Sequence, residues 1–129
     1  MNKKILIVSA NYYKDIAKGL INSATKLIPR SNKIKIIEVP GTFEIPVVIS
    51  RNINKYDAFL ALGCVIKGQT PHFDFISQAS INAIMDLSIT SKKPIGNAII
   101  TCLNMSQAKA RKIKGAEAAE AIISILALK

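Results

Sequence analysis

One histidine stands in the whole chain, His72, inside the stretch GQTPHFDF that runs from Gly68 to Phe75. With a reference pKa near 6.5, an imidazole can both take and give a proton close to neutrality, which is what general acid–base chemistry needs. The residues ahead of it suit a second task. Thr70 has the chemistry of a helix N-cap and Pro71 that of a first helical residue, so a helix opening here points free amides and its positive dipole end outward. Gly68 and Gln69 bring the backbone past that point, where an anion such as phosphate fits. The motif is short. It has too few glycines for a P-loop, and the same residues also read as a plain helix cap carrying a surface histidine. Two other loops hold groups of interest. PGTFE, residues 40–44, sets Thr42 and Glu44 as hydrogen-bonding groups around Phe43, suited to a polyhydroxylated or heterocyclic ligand, and Tyr12 and Tyr13 offer flat faces for stacking. Each of these also reads as an ordinary turn with core aromatics.

The elements that must position these loops are legible in the apolar pattern. KKILIVS, from Lys3, is a β-branched run of the kind that forms a strand buried on both faces. After the polar hinge ANYYKD, the residues Ile16, Ala17, Leu20, Ile21, Ala24, Leu27 and Ile28 recur at helical spacing until Pro29 stops them. IKIIEV, residues 34–39, is a second strand ended by Pro40 and Gly41. Ile45, Val48, Ile49 and Ile53 predict a short helix with Pro46 in its first turn. AFLALGCVI, residues 58–66, is the most apolar run and predicts a central strand. Behind His72 a helix is expected from about Phe73 to Ser88, with Phe73, Ile76, Ala79, Ala83, Ile84 and Leu87 as its apolar face. IGNAIITCL is a fourth strand. Asn104 with Gln107 resembles a capping box that opens a helical C-terminal region, which Gly115 interrupts or whose first helix it ends. The alternation argues for one α/β domain over residues 1–129, a parallel four-stranded sheet flanked by helices on both faces. In such sheets ligands bind at the carboxyl edge, and ANYY, PGTFE, KGQTPH and TCLN all project there.

Composition narrows the function classes. Half of the 129 residues are apolar, only 20% are charged, and aromatics make up 5%, so the core must be mainly Ile, Ala, Leu and Val. Mean hydropathy is +0.28. That apolar excess predicts a homo-oligomer, since a monomer of this size has difficulty covering it. Eighteen Lys and Arg against eight Asp and Glu give a net charge of +10, which invites anionic partners. The lysines are scattered, and the dense run KARKIK, residues 109–114, reads as a solvated helix face. A nucleic-acid-binding domain would set aromatics on a basic face, whereas these aromatics lie in sheet-edge loops, so no nucleic acid is expected. A phospho-acceptor signalling domain is disfavoured because SAN after the first strand lacks the acidic pair its metal requires. Cys64 and Cys102 lie in apolar strands without metal-ligand spacing and predict buried, reduced thiols and no metal. With no signal-like segment before the first strand, and no apolar run of about 18 to 20 residues, a cytoplasmic protein off the membrane is expected.

VPGTFEIP, ALGCVIKGQTPHFDF, PIGNAIITCLNMSQAKAR and KGAEAA, in that order and spacing, resemble the lumazine synthase family of riboflavin biosynthesis. The resemblance covers nearly the whole chain. It implies a flavodoxin-like three-layer α/β/α sandwich and a homopentamer, in some members built up into shells, with active sites between neighbouring subunits. It implies the condensation of 5-amino-6-(D-ribitylamino)uracil with 3,4-dihydroxy-2-butanone 4-phosphate, the penultimate step of the pathway, with neither metal nor organic cofactor. By the same resemblance Tyr12 takes the place of the aromatic stacked on the pyrimidine. Thr42, Phe43 and Glu44 match the segment that holds the ribityl chain and ring, and Cys64, Val65 and Ile66 match backbone contacts to the pyrimidine. Gln69 and Thr70 match the phosphate loop, His72 the proton-transfer histidine, Arg111 the phosphate anchor, and Lys114 a lysine near the same anion. Asn97 holds a position where many members place an aromatic from the neighbouring subunit. Other departures are Asn11-Tyr12-Tyr13 in place of Arg-Phe-Asn, and Lys67 in place of Arg. The sequence starts at its first strand, without the extension by which shell-forming members reach a neighbour, so a pentamer is expected. A noncatalytic lumazine- or flavin-binding member is the alternative reading.

Overall fold

The structure, a computed structural model, describes residues 2–69 and 71–128. Strand β1 (Lys4–Ala10) leads to helix α1 (Lys14–Leu27), β2 (Lys33–Val39), a single 3-10 turn (Thr42–Glu44) and α2 (Ile45–Arg51). Then come β3 (Ala58–Ile66), α3 (His72–Ser91), β4 (Ile95–Cys102), α4 (Met105–Ala110) and α5 (Lys114–Leu126). All four strands are parallel in the order β2-β1-β3-β4. The sheet and its flanking helices are those the alternating pattern predicts, and the fold is flavodoxin-like.

Burial follows strand position. Ile5 through Ala10 and Ala58 through Cys64 are buried without a break, because β1 and β3 have a strand on either side and helices on both faces. One face carries Ile5, Ile7, Leu60, Leu62 and Ile100 against α1 and α5, through Ile16, Leu20, Ala24, Ala119 and Ile122. The other sets Leu6, Val8, Phe59, Ala61 and Ile99 against Ile45, Ile49 and Ile84 of α2 and α3. β2 is equally apolar in its alternate residues, yet it lies at an edge, and Ile34 and Ile36 stay 37% and 40% exposed.

Three expectations need correction. The buried stripe of α3 is Ser77, Ser80 and Ile84 rather than the larger apolar set. Small hydroxyl residues face the sheet, while Phe73, Ile76, Ala83 and Leu87 remain half-exposed and Ala79 exposed. KARKIK is not a helix face: α4 ends at Ala110, Arg111 to Ile113 form the bend into α5, and Ser23 Oγ of α1 donates to the Lys112 carbonyl at 2.9 Å. Gly115 neither breaks nor ends a helix. It sits in the first turn of α5, buried where α5 crosses α1, and a Cβ there would overlap the Leu20 carbonyl oxygen and lie 2.5 Å from Ser23 Oγ. The break falls ahead of it, where the backbone turns at 111–113. Asn104 caps α4 as predicted, its side chain accepting from the Gln107 amide at 2.9 Å, but Gln107 Oε1 reaches back to the Leu103 amide rather than to that of Asn104.

Candidate active site

From β1 the chain first moves outward to β2, then crosses back to β3 and on to β4, so the order reverses between β1 and β3. The carboxyl ends of two such strands are the natural place for a crevice. A cleft of about 810 Å³ opens there. Its walls are Tyr12 and Tyr13 behind β1, Gly41 to Glu44 behind β2, Cys64 to Ile66 at the end of β3, and His72, Phe75, Ile76 and Ala79 along α3. Sequence positions that lie far apart thus meet in one place.

Each wall has a local cause. Tyr12 stands edge-on to Tyr13 with ring centroids 4.9 Å apart, and its own ring is 74% exposed. Tyr13 leans on the core beneath, and burial, together with the neighbouring Tyr12 and Cys64, pushes its phenol pKa up. The 42–44 turn is anchored by Thr42, which is buried, and presents Phe43, which is 60% exposed. The Glu44 amide donates to the Gly41 carbonyl at 3.2 Å, closing the turn. Cys64 lies on the sheet floor next to Cys102, and burial, the Cys102 thiol and a hydrogen bond to it push the Cys64 thiol up to about 12. It is neutral at physiological pH and offers the cleft no nucleophile. Pro71 sits at the N-cap of α3 rather than at its first helical position, and its carbonyl accepts from the Asp74 and Phe75 amides at 3.0 and 3.2 Å. His72 is therefore the first residue of the helix, on an exposed turn at the mouth of the cleft.

The remaining predicted residues gather elsewhere. Asn97, Arg111 and Lys114 line a separate hollow of about 360 Å³ between the outer strand β4 and α5, and it shares no lining residue with the cleft. Arg111 Nη1 donates to the Thr101 carbonyl at 3.0 Å and touches Cys102 Sγ at 4.0 Å, which uses one nitrogen of the guanidinium fork. Lys114 Nζ pairs with Glu117 at 2.9 Å. Asn97 Oδ1 accepts from the Ile99 amide at 2.9 Å. Gln69 is exposed and lines neither hollow, and Thr70 lies outside the described residues. Among the described residues no group of three or more His, Cys, Asp and Glu could hold a metal ion.

Phe75, Ile76 and Ala79 were not predicted as wall residues. The signal was available, since they follow His72 at i+3, i+4 and i+7, one face of a helix. That face reads as core in the sequence because apolar residues at this spacing normally are.

Residues 2–129 match the sequence model of the family described as 6,7-dimethyl-8-ribityllumazine synthase. The chain belongs to that family. Proteins bearing the same name include one from Methylorubrum populi, 42% identical over 139 aligned positions that span 98% of this chain and 82% of the relative. One from Bartonella bacilliformis is 41% identical across 100% of this chain and 91% of its own length. Another from Agrobacterium fabrum is 40% identical, covering 97% and 93%. Of the residues singled out by the family resemblance, the cleft collects Tyr12, the 42–44 turn, the 64–66 strand end and His72, while Arg111, Lys114 and Asn97 stand apart. Among the described residues no helix is long and apolar enough to cross a membrane.

Proposed function

We propose that the chain condenses 5-amino-6-(D-ribitylamino)uracil with 3,4-dihydroxy-2-butanone 4-phosphate to 6,7-dimethyl-8-ribityllumazine, with the pyrimidine in the cleft between β1 and β3. The observation that carries this reading is the cleft itself, in which a family match over residues 2–129 coincides with convergence of Tyr12, Thr42 to Glu44, Cys64 to Ile66 and His72. Tyr12 stacks on the ring, Phe43 and Glu44 meet the ring and ribityl chain, and the backbone of 64–66 meets the pyrimidine edge. Gln69 and Thr70 approach the phosphate. Gly68 is compatible with this, because among the described residues beyond its own neighbours a Cβ there would meet no atom within 4 Å, and the exposed backbone is open to a ligand.

The 5-amino group attacks the ketone and water leaves to give an imine. Elimination then releases phosphate, and the ring closes with loss of a second water. Protons move at each step, and His72 at the cleft mouth takes and returns them. Holding two substrates together supplies much of the remaining gain. Arg111 binds the phosphate through its planar charged fork, with Lys114 near the same anion.

Within one chain Arg111 does not line the cleft, and this favours sites built between copies. Exposed apolar residues occur on two different faces: Val47, Met85 and Ile89 on α2 and α3, and Leu103, Met105 and Ile113 around α4. Unlike patches that meet head to tail build a ring when the rotation between copies closes. We take that ring to be a pentamer, as the resemblance implies, working in the cytoplasm on small-molecule substrates. Mixing the purified protein with both substrates should give the lumazine absorbance together with one phosphate per product. Tight lumazine binding without turnover would establish the noncatalytic alternative instead.

A further inference from the structure

Gly63 is the one residue of β3 without a side chain, and it faces the same layer as Phe59 and Ala61, toward α2 and α3. A Cβ built there would lie 2.5 Å from Thr42 Cγ2, closer than any real contact, while Ala10 Cβ and Ile45 Cδ1 at 3.4 Å would be ordinary neighbours. The collision is therefore with one methyl group. Thr42 is 5% exposed and starts the 3-10 turn that continues into Phe43 and Glu44. From the opposite side Ser80 of α3, 1% exposed, donates its hydroxyl to the Thr42 carbonyl at 3.4 Å. The turn is thus seated on the sheet at Gly63 and tied to α3 at Ser80, both through Thr42. Neither Gly63 nor Ser80 lines the cleft, whereas Thr42, Phe43 and Glu44 all do.

We infer that Gly63 and Ser80 are positioning residues that fix the height of the 42–44 turn over the sheet and so set the affinity for the ribitylated pyrimidine. This rests on the assignment of that turn to the pyrimidine substrate. The reasoning is steric. A methyl at 63 cannot share space with Thr42 Cγ2 in a packed interior, so the turn must rise, carrying Phe43 and Glu44 with it. A displacement of that order at a substrate-holding group costs up to about 10²-fold, and the effect belongs to the substrate the turn holds.

The test compares Gly63→Ala, Thr42→Ser and the double variant. Thr42→Ser keeps the hydroxyl and removes the colliding methyl, so it is the reference for the double variant. In Gly63→Ala the KM for ribitylaminouracil, and the Kd for the lumazine product, should rise about tenfold or more, with the KM for butanone phosphate unchanged. The double variant should return to the values of Thr42→Ser alone. Ser80→Ala should raise the same KM by a smaller factor and leave the butanone phosphate KM in place. Equal loss for both substrates, or no rescue by Thr42→Ser, would overturn the inference. Should Gly63→Ala fail to fold, the double variant must fold, and its failure to do so overturns it equally. If the wild-type chain neither makes nor binds the lumazine, the proposed function fails on its own. The seat is then decided by a crystal structure of Gly63→Ala, which must show the 42–44 turn displaced.

Discussion

His72 shows how far a single residue could be understood from its neighbours in sequence. Its place at the start of a helix on the carboxyl edge was legible, because Pro71 and the following apolar spacing mark a helix start. The N-cap was placed one residue too early. Replacing His72 with Ala should slow turnover by about 10²-fold or less while leaving assembly intact by sedimentation; wild-type rates would remove its proton-transfer role. Cys64 is a second case, legible as a buried thiol but not as the partner of Cys102, since a diagonal contact between parallel strands depends on register. Its folded pKa, raised to about 12, lies above the ordinary 9.0, so the folded chain keeps a proton that the unfolded chain releases. Its contribution to stability is present below pH 9 and is lost as pH rises from about 9 toward 12. Urea midpoints should therefore fall between about pH 8 and pH 10.5, and fall less in Cys64→Ala; identical slopes in the two proteins would rule out this thiol as a source.

Helices and strands were read more securely than the surfaces they bury. β3 was placed residue for residue, since nine apolar or small residues between Asp57 and Lys67 admit one reading. The face of α3 was misread, because a stripe of Phe, Ile, Ala and Leu resembles core even when it lines a cleft or stays open to solvent. The serines that do face the sheet give no sequence signal. The same holds for Gly115, whose meaning lies in α1, far away in sequence. Gly115→Ala should prise α5 from α1 and lower stability by about 1–3 kcal/mol. A denaturation midpoint equal to wild type would show that the two helices can slide apart at no cost.

At the scale of the whole molecule, the single chain holds a complete cleft and a detached pair of basic residues. The sequence placed all of these in one site through family resemblance, but it could not say which of them a single copy brings together, since separation across the β4 side of the sheet is a property of the folded surface. A mixing experiment bears on this directly. Under the proposed ring of head-to-tail contacts, His72→Ala and Arg111→Ala subunits should on co-assembly exceed the sum of their separate activities, up to about a quarter of wild type, because some junctions then join one intact face of each. Activity no greater than the sum of the separate variants would place every catalytic group in one chain. On the proposed reading, an anionic leaving group and its anchors account for only part of the positive charge. The distance between the cleft and the β4–α5 hollow also has a physiological side. On the proposed reading, an enzyme divided in this way cannot be diluted gradually: below the concentration at which its copies associate, the chemistry would stop, and the number of chains a cell makes would become a threshold rather than a dial.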